Sequence, residues 1–159
     1  MTQRELDEKF MRVALDACRA GIERGQSPFG AVIVREGAIL SATHNHVRLT
    51  TDATAHAEVH AIREACRVVG DIHLAGATIY ATTEPCPMCF TAIHWARIGR
   101  IVYAARIADA ADAGFNELPV ANATLKQLGG SGVELVPDVL RDESVALFMR
   151  WRQRGGAPY

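Results

Sequence analysis

The sequence predicts an α/β fold: a three-layer α/β/α sandwich in which a mixed five-stranded sheet carries helices on both faces. Three observations lead there. An amphipathic helical pattern opens the chain, two β-rich runs joined by a turn follow, and helical and strand patterns then alternate to the end. Alternation of this kind calls for a largely parallel sheet covered on both sides, and the early hairpin makes the sheet mixed.

Residues 4–24 predict the first helix, because Leu6, Phe10, Val13, Ala14, Ala17 and Gly21 recur at steps of three and four. Pro28 and Gly30 break that period. The run AVIVREGAILSAT predicts two strands turning at Arg35-Glu36-Gly37. Residues 45–55 have no period and predict a loop. Ala55 to Val69 predicts a helix with Val59, Ile62, Cys66 and Val69 on one face. Residues 76–82 predict a strand that stops at Thr83-Glu84-Pro85. A short helix follows over 87–96, with Met88, Ala92, Ile93 and Ala96 expected inward. Residues 100–105 predict a fourth strand, 107–118 a loop with a helical turn, 121–128 a short helix, and 133–136 a fifth strand. Leu140 to Arg152 predicts a final helix with Leu140, Ser144, Leu147, Phe148 and Trp151 on one face, and 153–159 a tail.

Length suits one domain spanning residues 1–159, and no repeat, linker or low-complexity tract divides it. A hydrophobic share of 49% against 22% charged excludes disorder. Seventeen basic residues against eighteen acidic leave a net charge of −1, which lacks the basic excess of a protein that lives on nucleic acid. No apolar run is long enough for a bilayer, so no membrane partner is expected. The charged start MTQRELDEKF has no apolar signal core, so the expected location is the cytoplasm, where structural disulfides are rare. Cys18 and Cys66 then read as packed core thiols.

Two short motifs carry chemistry: His56-Ala57-Glu58 and Pro85-Cys86-Pro87-Met88-Cys89. Each lies where a strand or loop enters a helix. Helix starts carry partial positive charge and free N–H groups, which favour thiolates. One imidazole and two thiolates supply three ligands for a tetrahedral Zn²⁺ and leave a fourth position for water. Glu58 is placed to carry that water's proton. Other readings compete. A C-x-x-C pair alone also fits a redox dithiol. His94 as a fourth ligand would make a closed structural site, which leaves Glu58 without a role. HAEVH is not the metalloprotease motif, in which Glu directly follows the first His. His60 reads as a polar-face residue, and His44, His46 and His73 as surface or loop residues.

The pattern H-x-E…P-C-x-x-C is the signature of zinc nucleobase deaminases, in which the Glu is acid/base and not a ligand. With PFGAVIV, Asn45, D-x-T-A-H-A-E and TEPCPMC-x-x-AI-x-WARI, the chain resembles the cytidine deaminase-like superfamily along nearly its whole length. Many relatives carry Pro where Ala53 stands. The stretch DAADAGFNE, residues 109–117, together with Trp95 and Tyr159, is similar to bacterial guanine deaminases. That resemblance implies one Zn²⁺ per chain on His56, Cys86 and Cys89, with Glu58 catalytic. It implies base contacts from Asn45, Ala57 and Glu117, and apolar or stacking walls from Phe29 and Trp95.

The implied reaction is hydrolysis of guanine, with water as co-substrate, to xanthine and ammonia. Guanine offers two adjacent N–H donors that a carboxylate such as Glu117 accepts in parallel, whereas the adenine N1 lone pair would be repelled. Relatives are commonly homodimers, and in the guanine deaminase group the C-terminal segment is exchanged between subunits, with its last Tyr closing the pocket. Three alternatives stand beside this expectation. One is deamination of adenosine in a tRNA anticodon, which needs a local basic surface such as Arg141, Arg150, Arg152 and Arg154 could supply. One is a broader deaminase of cytosine, pterins or amino-triazines. The last is a non-enzymatic zinc-binding scaffold subunit, a class that typically lacks the Glu present here.

Overall fold

A capping box starts the fold. The Thr2 hydroxyl accepts from the Glu5 N–H at 3.2 Å, and the Glu5 carboxylate accepts from the Thr2 N–H at 2.6 Å. In the computed structural model, which describes residues 1–159, this begins helix α1 (Gln3–Glu23). The remaining elements are β1 (Gly30–Arg35), β2 (Ala38–His44), α2 (Val47–Thr50), α3 (Ala57–Val69), β3 (Ala77–Thr83), α4 (Pro87–Trp95), β4 (Arg100–Ala105), α5 (Ile107–Asp112), α6 (Asn122–Gly129), β5 (Glu134–Val136) and α7 (Arg141–Gln153).

The strands form one five-stranded sheet in the order β2-β1-β3-β4-β5. β1 is antiparallel to both β2 and β3, while β3, β4 and β5 run parallel. Glu36 and Gly37 both have positive φ, +52° and +76°, so the two-residue connection has the twist that suits a hairpin. α1 and α7 pack on one face, and α3 covers the other with α4 beside it. The expected three-layer mixed sandwich is the observed architecture. β1 is buried on both faces, which is why its sequence is an unbroken apolar run.

Local departures have physical reasons. The inward stripe of α1 is wider than the period suggested, adding Met11, Leu15, Cys18 and Ile22, because this helix packs on four strands and on α7. α2 and α5 lie in stretches expected as loop and as a single turn. α2 has only four residues, too few for a period to register. In α4 the buried set is Cys89, Phe90 and Ile93, with Met88 and Ala92 only half-buried. His44 was expected at the surface, yet it is buried and stacked on His46 at 4.5 Å.

One buried ion pair ties the first helix to the sheet. Arg100 on β4 grips both oxygens of Asp7 on α1 at 2.6 and 2.8 Å, and the Tyr80 hydroxyl donates to Asp7 at 3.1 Å. Burial alone would raise the Asp7 carboxyl, but the Arg100 guanidinium outweighs it and holds it below the usual range. Its stabilisation is therefore present above the unfolded pKa and is lost as pH falls through the folded one. Asp7→Asn should cost about 3 kcal/mol in urea denaturation at neutral pH, the low end for a broken buried pair because Arg100 keeps Glu134. A loss under about 1 kcal/mol would show the pair to be energetically idle.

Candidate active site

Two helix starts meet at the carboxyl end of the parallel strands. His56 is the N-cap residue of α3 and Cys86 that of α4, and both have extended backbone with no side-chain cap bond. Their side chains are thereby free to face each other. His56 Nδ1 lies 3.5 Å from Cys86 Sγ and 3.5 Å from Cys89 Sγ. All three ligand atoms fall within 4.8 Å of one another. Bonds of about 2.0 Å to nitrogen and 2.3 Å to sulfur at a tetrahedral angle put N and S about 3.5 Å apart, so the residues fit Zn²⁺ without rearrangement. His94, the alternative fourth ligand, is exposed and outside this group.

The two thiols behave as a pair sharing a proton. Accepting a hydrogen bond from Cys89 and contact with His56 push Cys86 down to about 4. Donation to Cys86 and burial drive Cys89 well above the usual thiol range. A divalent cation would displace the shared proton. Cys18, by contrast, is a sealed core thiol pushed up to about 12 by burial.

Glu58 is the second residue of α3 and is 7% exposed. Burial raises its carboxyl to about 7, the range in which a proton carrier works in both directions near neutrality. The Ala57 N–H precedes the first intrahelical bond, His60 N–H to the His56 carbonyl at 3.0 Å, and meets no backbone acceptor.

Space for a ligand comes in two parts. Directly over Glu58 lies a cavity of about 20 Å³, room for one water, lined by Phe29, Asn45, His56, Glu58, Thr83, Glu84, Cys86, Glu117 and Tyr159. Beside it a cleft of about 260 Å³ opens, lined in part by Met88, Phe115 and Leu118. His56, Cys86, Glu117 and Tyr159 border both, so a shift of the Tyr159 ring would join them.

Most predicted site residues converge here. Asn45 is fully buried; its Oδ1 accepts from the Val47 N–H at 3.0 Å and its Nδ2 donates to the Tyr159 hydroxyl at 2.8 Å. Glu117 is half-buried, and burial followed by the nearby Cys86 raises its carboxyl. Phe29 is both wall and core, edge-on to Phe115 at 4.9 Å. Tyr159 reaches the site of its own chain: the Asn116 N–H donates to its carbonyl at 2.9 Å, and its ring meets Phe115 at 5.1 Å.

Trp95 is a correction. It is 78% exposed, stands edge-on to His94 at 5.9 Å and borders neither cavity. Two residues past the buried Ile93, it is rotated by about 200° and faces away.

Three contributors escaped the sequence reading. The buried Glu84 accepts from the N–H groups of Ile107 at 3.2 Å and Asn122 at 2.9 Å, bracing the loops around the cysteines. The Asn122 amide donates to the Pro85 carbonyl at 2.6 Å. Thr83 lines the inner cavity. Glu84 and Thr83 could have been noticed from their place in TEPC; Asn122 gave no signal.

Comparison with known proteins agrees with this geometry. Residues 4–105 match the family described as cytidine and deoxycytidylate deaminase zinc-binding region. The chain belongs to this family. It is 48% identical over 111 residues to the guanine deaminase of Bacillus subtilis, a match covering 69% of this chain and 71% of that one. It is 45% identical over 98 residues to a tRNA-specific adenosine deaminase of Aquifex aeolicus, covering 62% and 65%. A solved guanine deaminase from Nitrosomonas europaea superposes with a TM-score of 0.85 at 28% identity, covering 92% of this deaminase and 84% of its neighbour. No helix is long and apolar enough to cross a membrane.

Two outcomes test the site. Cys89→Ser should lower zinc affinity at least about 10-fold, read by competition with a chromophoric chelator; unchanged affinity would exclude Cys89 as a ligand. In metal-free protein the Glu58 carboxyl is raised when folded, so its contribution is complete at low pH and is lost as pH rises through about 7. Glu58→Gln should match the parent's melting temperature near pH 4 and exceed it near pH 8. Equal melting at both pH values would show that Glu58 is not held in a raised state.

Proposed function

We propose that this deaminase converts guanine and water to xanthine and ammonia, with one Zn²⁺ per chain. The observation that carries the reading is Glu117: a half-buried carboxylate bordering the same cavity as Glu58 and His56. A buried carboxylate is costly unless it meets donors. Guanine supplies two in parallel, N1–H and the N2 amino group; adenine sets a lone pair against it. The 48% identity to a guanine deaminase supports the same choice.

Zn²⁺ held by His56, Cys86 and Cys89 would supply a water of lowered pKa. Glu58 takes a proton from the attacking water, whose oxygen forms a bond to C2. The same carboxyl delivers that proton to N3, then takes the second proton from the new C2 hydroxyl as the C2 carbonyl forms and passes it to the departing amine. The C2–N2 bond breaks, ammonia leaves, and xanthine remains. Glu117 holds the donor edge, the free N–H of Ala57 offers a further donor, and Phe29 and Tyr159 exclude water from the ring faces.

A second reading rests on the 45% identity to a tRNA-specific adenosine deaminase and on a solved tRNA:A34 deaminase with a TM-score of 0.77 at 33% identity. Ammonia release decides between them. Guanine should be converted, and an anticodon stem-loop should not. Conversion of the stem-loop alone would overturn the guanine reading. Glu58→Ala should keep zinc and lose about 10²–10⁴-fold in kcat; loss of zinc would make Glu58 a ligand. The reading includes a homodimer, and sedimentation at the mass of one chain would remove it.

A further inference from the structure

The inner cavity can be audited polar group by polar group. Both ends of the Asn45 amide are committed, to Val47 N–H and to Tyr159. Both Glu84 oxygens are committed, to Ile107 and Asn122. The His56 ring faces the two thiols. Glu58 and Glu117 are the acids assigned above. Two neutral hydroxyls remain: that of Tyr159, which accepts from Asn45 and keeps its own proton to donate, and that of Thr83, which is buried and has no hydrogen-bond partner at all. Nearly all buried hydroxyls find a partner, and one left over at a reactive cavity asks for a ligand.

Strand geometry says which way it faces. Alternate side chains of β3 point to opposite faces. The Tyr80 hydroxyl reaches Asp7 on α1, and the Thr82 hydroxyl accepts from the Gly30 N–H at 3.0 Å. The Thr82 carbonyl accepts from Ser144 on α7. Tyr80 and Thr82 therefore belong to the α1/α7 side. Thr83, next in line, turns to the opposite side, where α3 and α4 begin with His56 and Cys86, and it borders the cavity over Glu58.

We propose that Thr83 is a specificity-determining residue whose hydroxyl donates a hydrogen bond to the exocyclic oxygen of an oxopurine. This rests on the guanine reading and deepens it. The two acids flanking the cavity suit donors on the ligand, while Thr83 supplies a donor for an acceptor. Guanine presents that pattern along one edge: a carbonyl oxygen, then N1–H, then the amino group. A purine with hydrogen at that carbon keeps the reacting amine, offers nothing to Thr83, and gives Glu117 the amino group without the N1–H.

The test compares guanine with 2-aminopurine, which lacks both the oxygen and the N1–H, in the parent, Thr83→Val and Thr83→Ser, reading the ratio of variant to parent on each purine so that the cost of the lost N1–H at Glu117 cancels. Valine keeps the shape and removes the hydroxyl. Thr83→Val should lose about three- to tenfold in kcat/KM on guanine, mostly through KM, and be unchanged on 2-aminopurine. Thr83→Ser should recover most of the loss. Guanine binding to Glu58→Gln protein by calorimetry should weaken by the same factor when Thr83→Val is added. Equal loss on both purines, or no loss on guanine, would overturn the proposal. If the parent releases no ammonia from guanine, the guanine reading itself fails, a result visible before any Thr83 variant is made. Should Thr83→Val melt well below the parent, the Thr83→Ser comparison on the two purines decides alone.

Discussion

Two helices begin at one point in space, and neither is capped by its own side chain. The first residue of each, His56 and Cys86, instead turns its ligand atom toward the other, with Cys89 one turn further along. The chemistry depends on this convergence. It brings a nitrogen and two sulfurs to spacings that suit a tetrahedral metal, and it brings the positive ends of two helix dipoles together there. Glu58 enters that volume because it follows His56 by two residues on the first turn of α3. Its raised affinity for a proton comes from burial, and the burial comes from the layer of sheet beneath it.

The sheet earns its place by holding those two starts in register. β3 delivers Cys86 through a single extended step, Thr83-Glu84-Pro85, and the parallel β3–β4 pairing leaves α4 as the crossover between them. Glu84 stiffens that step by accepting two backbone N–H bonds from the segments that follow β4. On the far face the Asp7–Arg100 pair anchors α1. Gly30 lets β1 approach that helix closely, since a Cβ there would strike the Ala14 carbonyl. At the other end of the chain, Gly155 takes a left-handed φ of +79°, and Gly156 lies against the Trp151 indole where no side chain would fit. This turn sends Tyr159 back over the site.

Much of this was legible before any coordinates. The strands, α1, α3 and α7 follow from periods of two and of three to four residues. His56, Glu58, Cys86 and Cys89 are legible because metal ligation restricts both residue type and spacing. Glu117 and Asn45 were reached by resemblance, since a lone Glu or Asn in a loop carries no pattern of its own. The same resemblance failed at Trp95, because likeness of sequence does not report the rotation of a side chain around a nine-residue helix. The short elements α2 and α5, the inward face of α4 and the burial of His44 were missed because each depends on neighbours distant in the chain.

What the sequence by itself determined is the set of reacting groups and the alternating architecture that carries them, because both are written in local periodicity and in residue types with few other uses. The tertiary structure alone decided that Glu117 is half-buried beside Cys86, that Asn45 spends its amide on Tyr159, and that Thr83 borders the cavity without a partner. Those facts concern which polar groups are left unpaired once the chain is packed. Pairing is a property of three-dimensional neighbours, which no local stretch of sequence can specify.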